Sequence, residues 1–489
     1  MQRACSVIAK NVAACVRRHG VLVAACLVLS GCITGYEKSD LLLEVPDNYR
    51  YAPRRPDAAL PALDWWRGFR SHELISLIEA AQTENLDIAA AVARIVQADG
   101  QVRVSGAPLL PLIGADASVI RSRGARTVSG DTVTVSSRSP TTQYNASLSA
   151  SYEIDFWGKN RAALLASEQN AVASRYDREV VTLTTLASVA NTYFQVLAAQ
   201  DRLRIARDNL AAANRVLALV RQRFLAGTAS QLDVAQQESL VATQKAVIPV
   251  LEISLRQGMA ALAVLIGRAP ENVSIRGGSM NAVRVPVVTP GLPSDLLNQR
   301  PDIRLAEAAL ASANYNVESA RAAFFPSIAL TGQTGFQSLA LASLFGPGAW
   351  FYTMAAAIAQ PVFDGFLLLG QFEIAKGRQQ ELLQLYRKAV LSAFSDVEQA
   401  LIALEQQTTR ERLQTEVIRA SRQAFDLSEQ RLREGTVDLV TVLTTQQTLF
   451  QAQDTLAQVR FARLQAVVGL FQALGGGWPP LVRHQAPSH

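Results

Sequence analysis

The residue types that most often perform catalysis or bind metals are scarce in this chain. It has four cysteines and four histidines, and most of them lie near the ends of the sequence: Cys5, Cys15, Cys26, Cys32, His19, His72, His484 and His489. One histidine well inside the chain, His72, is too few for a histidine-based metal site or a catalytic triad. Gly365 and Gly370 lack the following Lys-Ser/Thr pair of a phosphate loop. The sequence therefore predicts a protein that is not an enzyme, with no metal site and no cofactor.

Cys32 completes the one motif with a clear chemistry. Arg17 and Arg18 precede the apolar run 21–29, which is the layout of a secretory signal peptide over residues 1–31. The run ends in Leu29-Ser30-Gly31-Cys32, which resembles a bacterial lipobox. In that motif a peptidase cuts before the cysteine, whose thiol carries diacylglycerol. We therefore predict a covalent lipid on Cys32, diacylglycerol plus an N-acyl chain. An ordinary signal peptide with a chance cysteine is the alternative.

Removal of the signal peptide changes the charge of the chain. The formal net charge is +6, and the four basic residues of the signal account for most of it, which leaves about +2. No surplus of basic charge then remains for nucleic acid, so we expect no nucleic-acid partner. No later segment has about 18 consecutive apolar residues. We therefore expect any membrane crossing to be made by strands.

The remaining chain contains an internal duplication. Residues 85–88, Asn-Leu-Asp-Ile, match residues 300–303, Arg-Pro-Asp-Ile, and Gly227-Thr228 matches Gly435-Thr436. The offset falls from 215 to 208 residues because one loop in the first half is longer. We predict two repeats, at 72–267 and 287–475. They are separated by an equatorial linker and flanked by an N-terminal segment and a tail: 268–286, 32–71 and 476–489.

Each repeat is expected to contain the same elements in the same order. A helix comes first, then a β-hairpin, a very long helix and a return helix. The first repeat has these at 74–104, 112–156, 159–226 and 230–266, and the second at 296–324, 327–363, 366–434 and 438–474. A helix of about 68 residues is about 100 Å long. The three- and four-residue spacing of its apolar positions is typical of a coiled coil. Pro249 should kink the first return helix.

The strand that ends the first hairpin alternates without exception between apolar and polar residues from Tyr144 to Phe156. Such alternation places the two sets on opposite faces of a sheet. A half-buried strand of a soluble protein would alternate as well, but this length suits a tilted strand that crosses a membrane. On that interpretation the polar face lines the interior of a barrel and includes Asn145, Ser147, Glu153 and Asp155.

Four strands are too few to close a barrel. In lipid, an open sheet edge leaves N–H and C=O groups unpaired, each at a cost of several kcal/mol. If these strands cross a membrane, several chains must share one barrel, and three chains would supply twelve strands, although this argument does not force the number three. A lipid-tethered coiled-coil spacer that forms no pore is the alternative.

Several motifs together resemble the TolC/OprM-type outer-membrane factors, in particular the NodT-type lipoprotein branch. They are Gly291-Leu292-Pro293-Ser294-Asp295-Leu296-Leu297, Arg300-Pro301-Asp302-Ile303, Ala322-Ala323-Phe324-Phe325-Pro326-Ser327-Ile328 and Leu474-Gly475-Gly476-Gly477-Trp478. Together with the lipobox they cover nearly the whole chain after the signal peptide.

The resemblance implies an α+β membrane protein that forms a homotrimer. Each chain gives four strands to a twelve-stranded outer-membrane β-barrel, which continues as a long periplasmic α-helical coiled-coil tunnel. An equatorial belt, here 50–70, 268–296 and 476–489, surrounds the tunnel. The implied location is the outer membrane of a Gram-negative bacterium, with a lipid anchor. The implied partners are outer-membrane lipid, a periplasmic adaptor protein and an inner-membrane pump, most often of the RND type.

In this family the two helix–turn–helix tips dock the adaptor, and the residues that follow form the periplasmic aperture. The docking turns here would be Gly227-Thr228 and Gly435-Thr436, with glycine where the backbone needs a positive φ. Many relatives then carry a Leu and, four residues later, an Asp. This chain has Val440 and Thr444, followed by Gln447, so we expect an apolar or hydroxyl constriction without a charged gate.

The function implied is passive export of small toxic compounds or drugs that the pump and adaptor deliver, as in antibiotic resistance. The alternatives are the outer-membrane duct of type I protein secretion or of metal-ion efflux. The tunnel sequence cannot choose among them, because substrate choice lies mostly in the pump.

Overall fold

The computed structural model describes residues 46, 49–51, 64–123, 139–288 and 291–476, so the predicted signal peptide and Cys32 lie outside the described residues. Eight α-helices lie within those ranges: α1 (His72–Glu84), α2 (Leu86–Gly106), α3 (Lys159–Leu225), α4 (Gln231–Leu265), α5 (Pro293–Gln299), α6 (Pro301–Ala322), α7 (Leu367–Glu434) and α8 (Leu439–Ala473). Four strands are described: β1 (Leu112–Ser122), β2 (Thr141–Ile154), β3 (Ser327–Ser338) and β4 (Trp350–Ala359).

The first helical segment of each half is broken, where a continuous helix was predicted. In the first half the break is at Asn85, between α1 and α2. The Asn85 amide oxygen accepts hydrogen bonds from the backbone N–H groups of Asp87 and Ile88, at 2.9 and 3.0 Å, and so caps α2. Its amide nitrogen donates to the carbonyl of Leu265 at 2.7 Å. One side chain therefore begins α2 and satisfies the last turn of α4.

Arg300 stands at the matching break between α5 and α6. Pro301 disfavours a helical conformation at Arg300, whose backbone is extended. The guanidinium donates to the carbonyl of Ala473, in the last turn of α8, at 3.1 Å. It also pairs with the carboxylates of Asp302 and Asp396, at 2.7 and 2.9 Å. Both breaks thus occur at a residue whose side chain donates a hydrogen bond to a carbonyl in the last turn of a return helix.

Two glycines complete these joints. Gly267 follows α4 with a φ of +70°, and a Cβ there would lie 2.1 Å from the carbonyl oxygen of Glu84. Gly475 follows α8 with a φ of +85°, and a Cβ there would lie 2.6 Å from the carbonyl oxygen of Gln299. The same close contact therefore recurs in both halves, and no residue with a side chain fits either position.

The four strands form one antiparallel sheet in the order β1-β2-β3-β4. Among the described strands, β1 and β4 are the edges. One face of the sheet carries large apolar side chains that are exposed in a single chain, among them Ile113 at 69%, Leu148 at 54% and Met354 at 84%. Polar side chains occupy the other face of β2. The sheet thus has one apolar face, and its two edge strands, β1 and β4, each pair with a described strand on one side only.

The core lies where α3, α4 and α8 meet the short helical turn Trp65–Phe69. Buried side chains there include Phe69, Phe194, Leu197 and Phe471, and Trp65 stacks on Phe471 with ring centroids 5.1 Å apart. Through this turn the aromatic contacts connect the middle of α3 to the last turns of α8.

Two described helices, α3 and α4, are long and apolar enough to cross a membrane by length and composition alone. Half of the most apolar stretch of α3 is buried inside the protein, against 22% for α4. Leu186, Val189 and Leu197 of α3 belong to the core, so packing within the chain accounts for much of its apolar character. Pro249 lies inside α4, and the helix continues through it.

Candidate functional site

The two predicted docking turns have the same backbone geometry. Gly227 and Gly435 both have a φ of +75°, in the left-handed region. Their N–H groups donate to the carbonyls of Phe224 and Leu432, at 3.0 and 3.1 Å. A Cβ at either glycine would meet no described atom within 4 Å. Glycine is therefore needed at these turns for its backbone conformation and not for space.

The threonine after each glycine closes the turn in the same way twice. Thr228 donates from its N–H and its hydroxyl to the carbonyl of Arg223, at 2.8 and 3.1 Å. Thr436 donates from the same two groups to the carbonyl of Arg431, at 2.9 and 3.3 Å. Both turns thus satisfy carbonyls that the end of a helix leaves without partners.

Arg223 joins the two tips to each other. Its guanidinium donates to the carbonyl of Leu432, in the last turn of α7. A cation at the C-terminal end of a helix also interacts favourably with the helix dipole. Beside the turns, Leu225 is 85% exposed and Leu232 is 65% exposed. The tips therefore present apolar side chains on a framework held by hydrogen bonds.

The predicted aperture residues follow the second tip along one face of α8. Val440 is 55% exposed, and the hydroxyl of Thr444 donates to the carbonyl of Val440 at 2.9 Å. Gln447, one turn further, is exposed as well. The Thr444 hydroxyl proton is thus used within its own helix, and the three side chains carry no charge.

Asp438 lies two residues before Val440 in the sequence. Its carboxylate accepts hydrogen bonds from the hydroxyl and the N–H of Thr441, at 2.5 and 2.9 Å, as the N-cap of α8. These bonds, the one from the hydroxyl first, lower the pKa of Asp438 below its ordinary value of 3.8. Asp438 therefore begins a helix, and its carboxylate is committed to that cap.

Two of the four residues predicted to line a barrel interior form a polar network on one face of the sheet. The hydroxyl oxygen of Ser147 accepts hydrogen bonds from the amides of Gln333 and Asn145, at 3.0 and 3.4 Å. Ser147 is buried even in the single chain. The network links β2 to β3.

The other two residues predicted to line the barrel, Glu153 and Asp155, make their polar contacts with the start of α3. Glu153 pairs with Lys159 at 2.6 Å. Asp155 lies beyond the end of β2 and accepts hydrogen bonds from the N–H groups of Asn160 and Arg161, at 2.9 and 2.7 Å. Asp155 therefore caps the first turn of α3 and does not lie within the strand as predicted, because the alternation of the sequence continues two residues past the end of β2.

The described parts of the expected belt are tied to the helices by carboxylates. Glu73 accepts hydrogen bonds from the N–H groups of Arg276 and Gly277, at 2.9 and 3.2 Å. Asp201, which is 4% exposed, accepts one from the N–H of Met280 at 2.9 Å. Tyr49 is buried, and its burial raises its pKa. The middle of the molecule is thus held by polar contacts as well as by the core.

A buried glutamine pair was missed by the sequence reasoning. Gln237 of α4 and Gln446 of α8 are both fully buried. The amide nitrogen of Gln237 donates to the carbonyl of Ala213 at 3.0 Å and to the amide oxygen of Gln446 at 3.3 Å. The two glutamines are 209 residues apart, close to the repeat offset, and that recurrence was the signal that could have found them.

An ion pair was missed as well. The guanidinium of Arg202, on α3, binds the carboxylate of Asp454, on α8, through two hydrogen bonds of 2.6 and 3.0 Å. Each charge neutralises the other, and the paired geometry fixes their orientation. The amide pair and this ion pair connect the helices of the first half to α8 of the second half.

Comparison with known proteins identifies relatives of this chain. The family model described as outer membrane efflux protein matches residues 77–268 and 292–476. The chain is 41% identical over 459 residues to the pyoverdine export outer membrane protein OpmQ of Pseudomonas aeruginosa, which covers 94% of this chain and 96% of OpmQ. It is 33% identical over 422 residues to the probable outer membrane lipoprotein SilC of Salmonella typhimurium, covering 84% and 88% of the two chains.

The fold has a solved counterpart. The crystal structure of the open state of the MtrE outer membrane channel of Neisseria gonorrhoeae matches with a TM-score of 0.80 and 30% identity. The match covers 91% of this chain and 98% of MtrE. The helix-rich architecture with one four-stranded sheet is therefore that of a known outer-membrane channel.

Proposed function

The chain belongs to the outer membrane efflux protein family, and we propose that three copies of it form the exit channel of a tripartite efflux system. It is an outer-membrane protein that extends into the periplasm. In the proposed system a periplasmic adaptor and an inner-membrane pump, of the RND type, deliver the cargo. The channel is passive and the pump supplies the energy.

The open sheet is the observation that carries this proposal. One chain contributes four strands, with edges at β1 and β4 and large apolar side chains on one face. In lipid each unpaired backbone group of an edge costs several kcal/mol, so the edges must meet those of other copies. Three copies give a closed barrel of twelve strands, and their polar faces, with Ser147 and Asn145, enclose the pore.

The helices support a tunnel below that barrel. Helices α3 and α7 have 67 and 68 residues, so each is about 100 Å long. The family model matches the chain twice, and the two joints at Asn85 and Arg300 have the same construction. We infer a tandem duplication in which each half contributes one helical hairpin to the wall.

Planar lipid bilayers and gel electrophoresis test the channel. The purified protein should conduct ions in a bilayer and should run as a trimer on gels until it is heated. A lipid-tethered spacer built from the same helices would give no conductance and no heat-sensitive band. That result would contradict the proposal.

The tips are the proposed contact with the adaptor. Gly227-Thr228 and Gly435-Thr436 form two equivalent turns, with the exposed apolar side chains of Leu225 and Leu232 beside them. An exposed apolar patch on an ordered framework is typical of a protein interaction site. The aperture would lie just behind them, at Val440, Thr444 and Gln447.

A lipid anchor on Cys32 is part of the proposal. The motif Leu29-Ser30-Gly31-Cys32 supports it, and the relative SilC carries the description lipoprotein. Cells fed with a labelled fatty acid should label the wild-type protein but not the Cys32→Ser variant, whose trimer should still assemble. A label that persists in Cys32→Ser would contradict the anchor.

We propose a peptide-like siderophore of the pyoverdine class as a cargo, beside the small toxic compounds expected from the family. The support is the identity of 41% with OpmQ along almost the whole length of both proteins. Expression in a Pseudomonas strain without its own OpmQ should restore pyoverdine in the medium. Retention of pyoverdine in the periplasm, with normal levels of trimer in the outer membrane, would contradict this cargo.

A further inference from the structure

A groove lies beside the tips, between α4 and α8, with α3 as its floor. Its volume is 640 Å³, within the usual range for small-molecule sites. We call it the tip groove. Its walls carry Gln236 and Gln244 from α4 and Gln447 and Gln451 from α8, and its floor carries Asn209 from α3.

The amide groups of these five residues are not engaged within the protein. None of them hydrogen-bonds another residue in the described part of the chain. Asn209 is only 6% exposed, although it lines the groove. The amide oxygen of Gln236 is buried and has no partner among the described residues. Buried amides are normally hydrogen-bonded, so the unpartnered oxygen of Gln236 indicates a ligand or ordered water in the groove.

The charges at the groove cancel. Arg202 and Asp454 line it, and they are paired with each other. The remaining wall mixes amides and hydroxyls with apolar side chains such as Leu251 and Phe450. A wall of this kind suits a molecule with many amide and hydroxyl groups, and it offers no surplus carboxylate for a metal cation.

The position of the groove places it on the export path. Two of the predicted aperture residues, Val440 and Gln447, line it. The buried pair of Gln237 and Gln446 links α4 to α8 directly behind its walls. The groove therefore lies beside the predicted aperture, and a buried contact joins the two helices that form its walls.

We propose that the tip groove binds the exported molecule, and that it takes a peptide-like siderophore through hydrogen bonds to its amides. This inference rests on the proposed function, because it assumes that the cargo passes the aperture. It adds a cargo site within the channel protein itself, at named residues.

Binding of pyoverdine to the purified trimer tests the groove. The double variant Gln236→Leu with Gln447→Leu replaces two amide side chains with apolar side chains of similar size. Binding about tenfold weaker is expected from the loss of two hydrogen bonds. Gln423→Leu, an exposed glutamine of α7 outside the groove, is the matched control and should bind as the wild type does. Asn209→Leu is a second variant, with the same expectation of weaker binding. Equal affinity in all forms, or no binding by the wild type, overturns the inference.

Thiol labelling tests whether the groove is open in the assembled trimer. Ser239 lines the groove and is exposed, and the chain has no thiol after Cys32. Ser239→Cys in the trimer should react quickly with a small maleimide, and pyoverdine should slow the reaction. A thiol that is protected without pyoverdine would show that a neighbouring copy fills the groove, which overturns the proposal.

Export measurements separate this inference from the proposed function. If the wild-type chain neither conducts ions nor restores pyoverdine export, the proposed function fails. If it does both, and the groove variants bind pyoverdine as tightly as the wild type, only the cargo site fails.

Discussion

Removal of the buried amide pair should have a strongly non-additive effect. In Gln237→Leu both hydrogen bonds of that amide are lost, and Gln446 remains buried with no partner. A buried amide without partners costs about 1–3 kcal/mol. In Gln446→Leu only the bond of 3.3 Å is lost, because Gln237 still donates to the carbonyl of Ala213. That loss is about 0.5–1.5 kcal/mol.

The double variant has no buried amide left to satisfy. The carbonyl of Ala213 lies inside α3, about three turns before its end, where helical hydrogen bonding continues without the glutamine. Leucine has a similar size, so the double variant should be less destabilised than Gln237→Leu alone. The expected coupling between the two sites is about 1–2 kcal/mol, well above the scatter of about 0.3–0.5 kcal/mol for independent sites.

Hydrogen exchange of the backbone amides in α4 and α8 measures these differences in the assembled trimer. A change of about 1.4 kcal/mol alters the exchange rate about tenfold. Gln423→Leu, on the exposed face of α7, is the control and should exchange as the wild type does. Additive effects of the two substitutions, or a double variant that exchanges fastest, would refute the reasoning.

Three further changes test other parts of the structure. Gly267→Ala should lower the temperature at which the trimer dissociates on gels, because its Cβ would lie 2.1 Å from the carbonyl oxygen of Glu84, whereas Gly370→Ala, with no described atom within 4 Å, should not. Gly435→Val should keep conductance but lose export from cells, because the left-handed backbone costs a non-glycine residue about 1–2 kcal/mol at the docking turn alone; normal export would contradict tip docking. The lowered pKa of Asp438 means that its contribution to the α8 cap is complete above the ordinary value of 3.8 and is lost as the pH falls through the lowered pKa. Exchange at the start of α8, corrected for intrinsic rates, should therefore rise below that pH in the wild type but not in Asp438→Asn, and equal acid responses would contradict the cap.

The sheet and the helix-rich architecture could be predicted because their signals are local. Alternation along β2 depends only on which residues follow each other, and the long helices are uninterrupted by proline. The breaks at Asn85 and Arg300 could not be predicted in the same way. Each depends on a carbonyl at the end of a distant helix, Leu265 or Ala473, and the apolar pattern runs through both breaks.

The candidate site shows the same division. The two turns at Gly227 and Gly435 could be predicted because a Gly-Thr pair between two long helices is a turn signal by itself. The capping role of Asp155 could not be predicted. Asp155 and Glu153 fall on the same face in the alternating pattern, and only the position at which α3 begins distinguishes them. The glutamines of α4 and α8 resemble the solvated face of any coiled coil in the sequence, and only packing separates the buried Gln237 and Gln446 from their exposed neighbours.

The open edges of the sheet constrain the order of events in biogenesis. In the proposed barrel a single chain cannot rest in the bilayer, because β1 and β4 would leave their backbone groups unpaired in hydrocarbon. Insertion and association must therefore occur together, or the copies must meet in the periplasm before any strand enters lipid. A chain with a damaged hairpin would also prevent the copies bound to it from inserting, so only complete assemblies would be stable in the membrane.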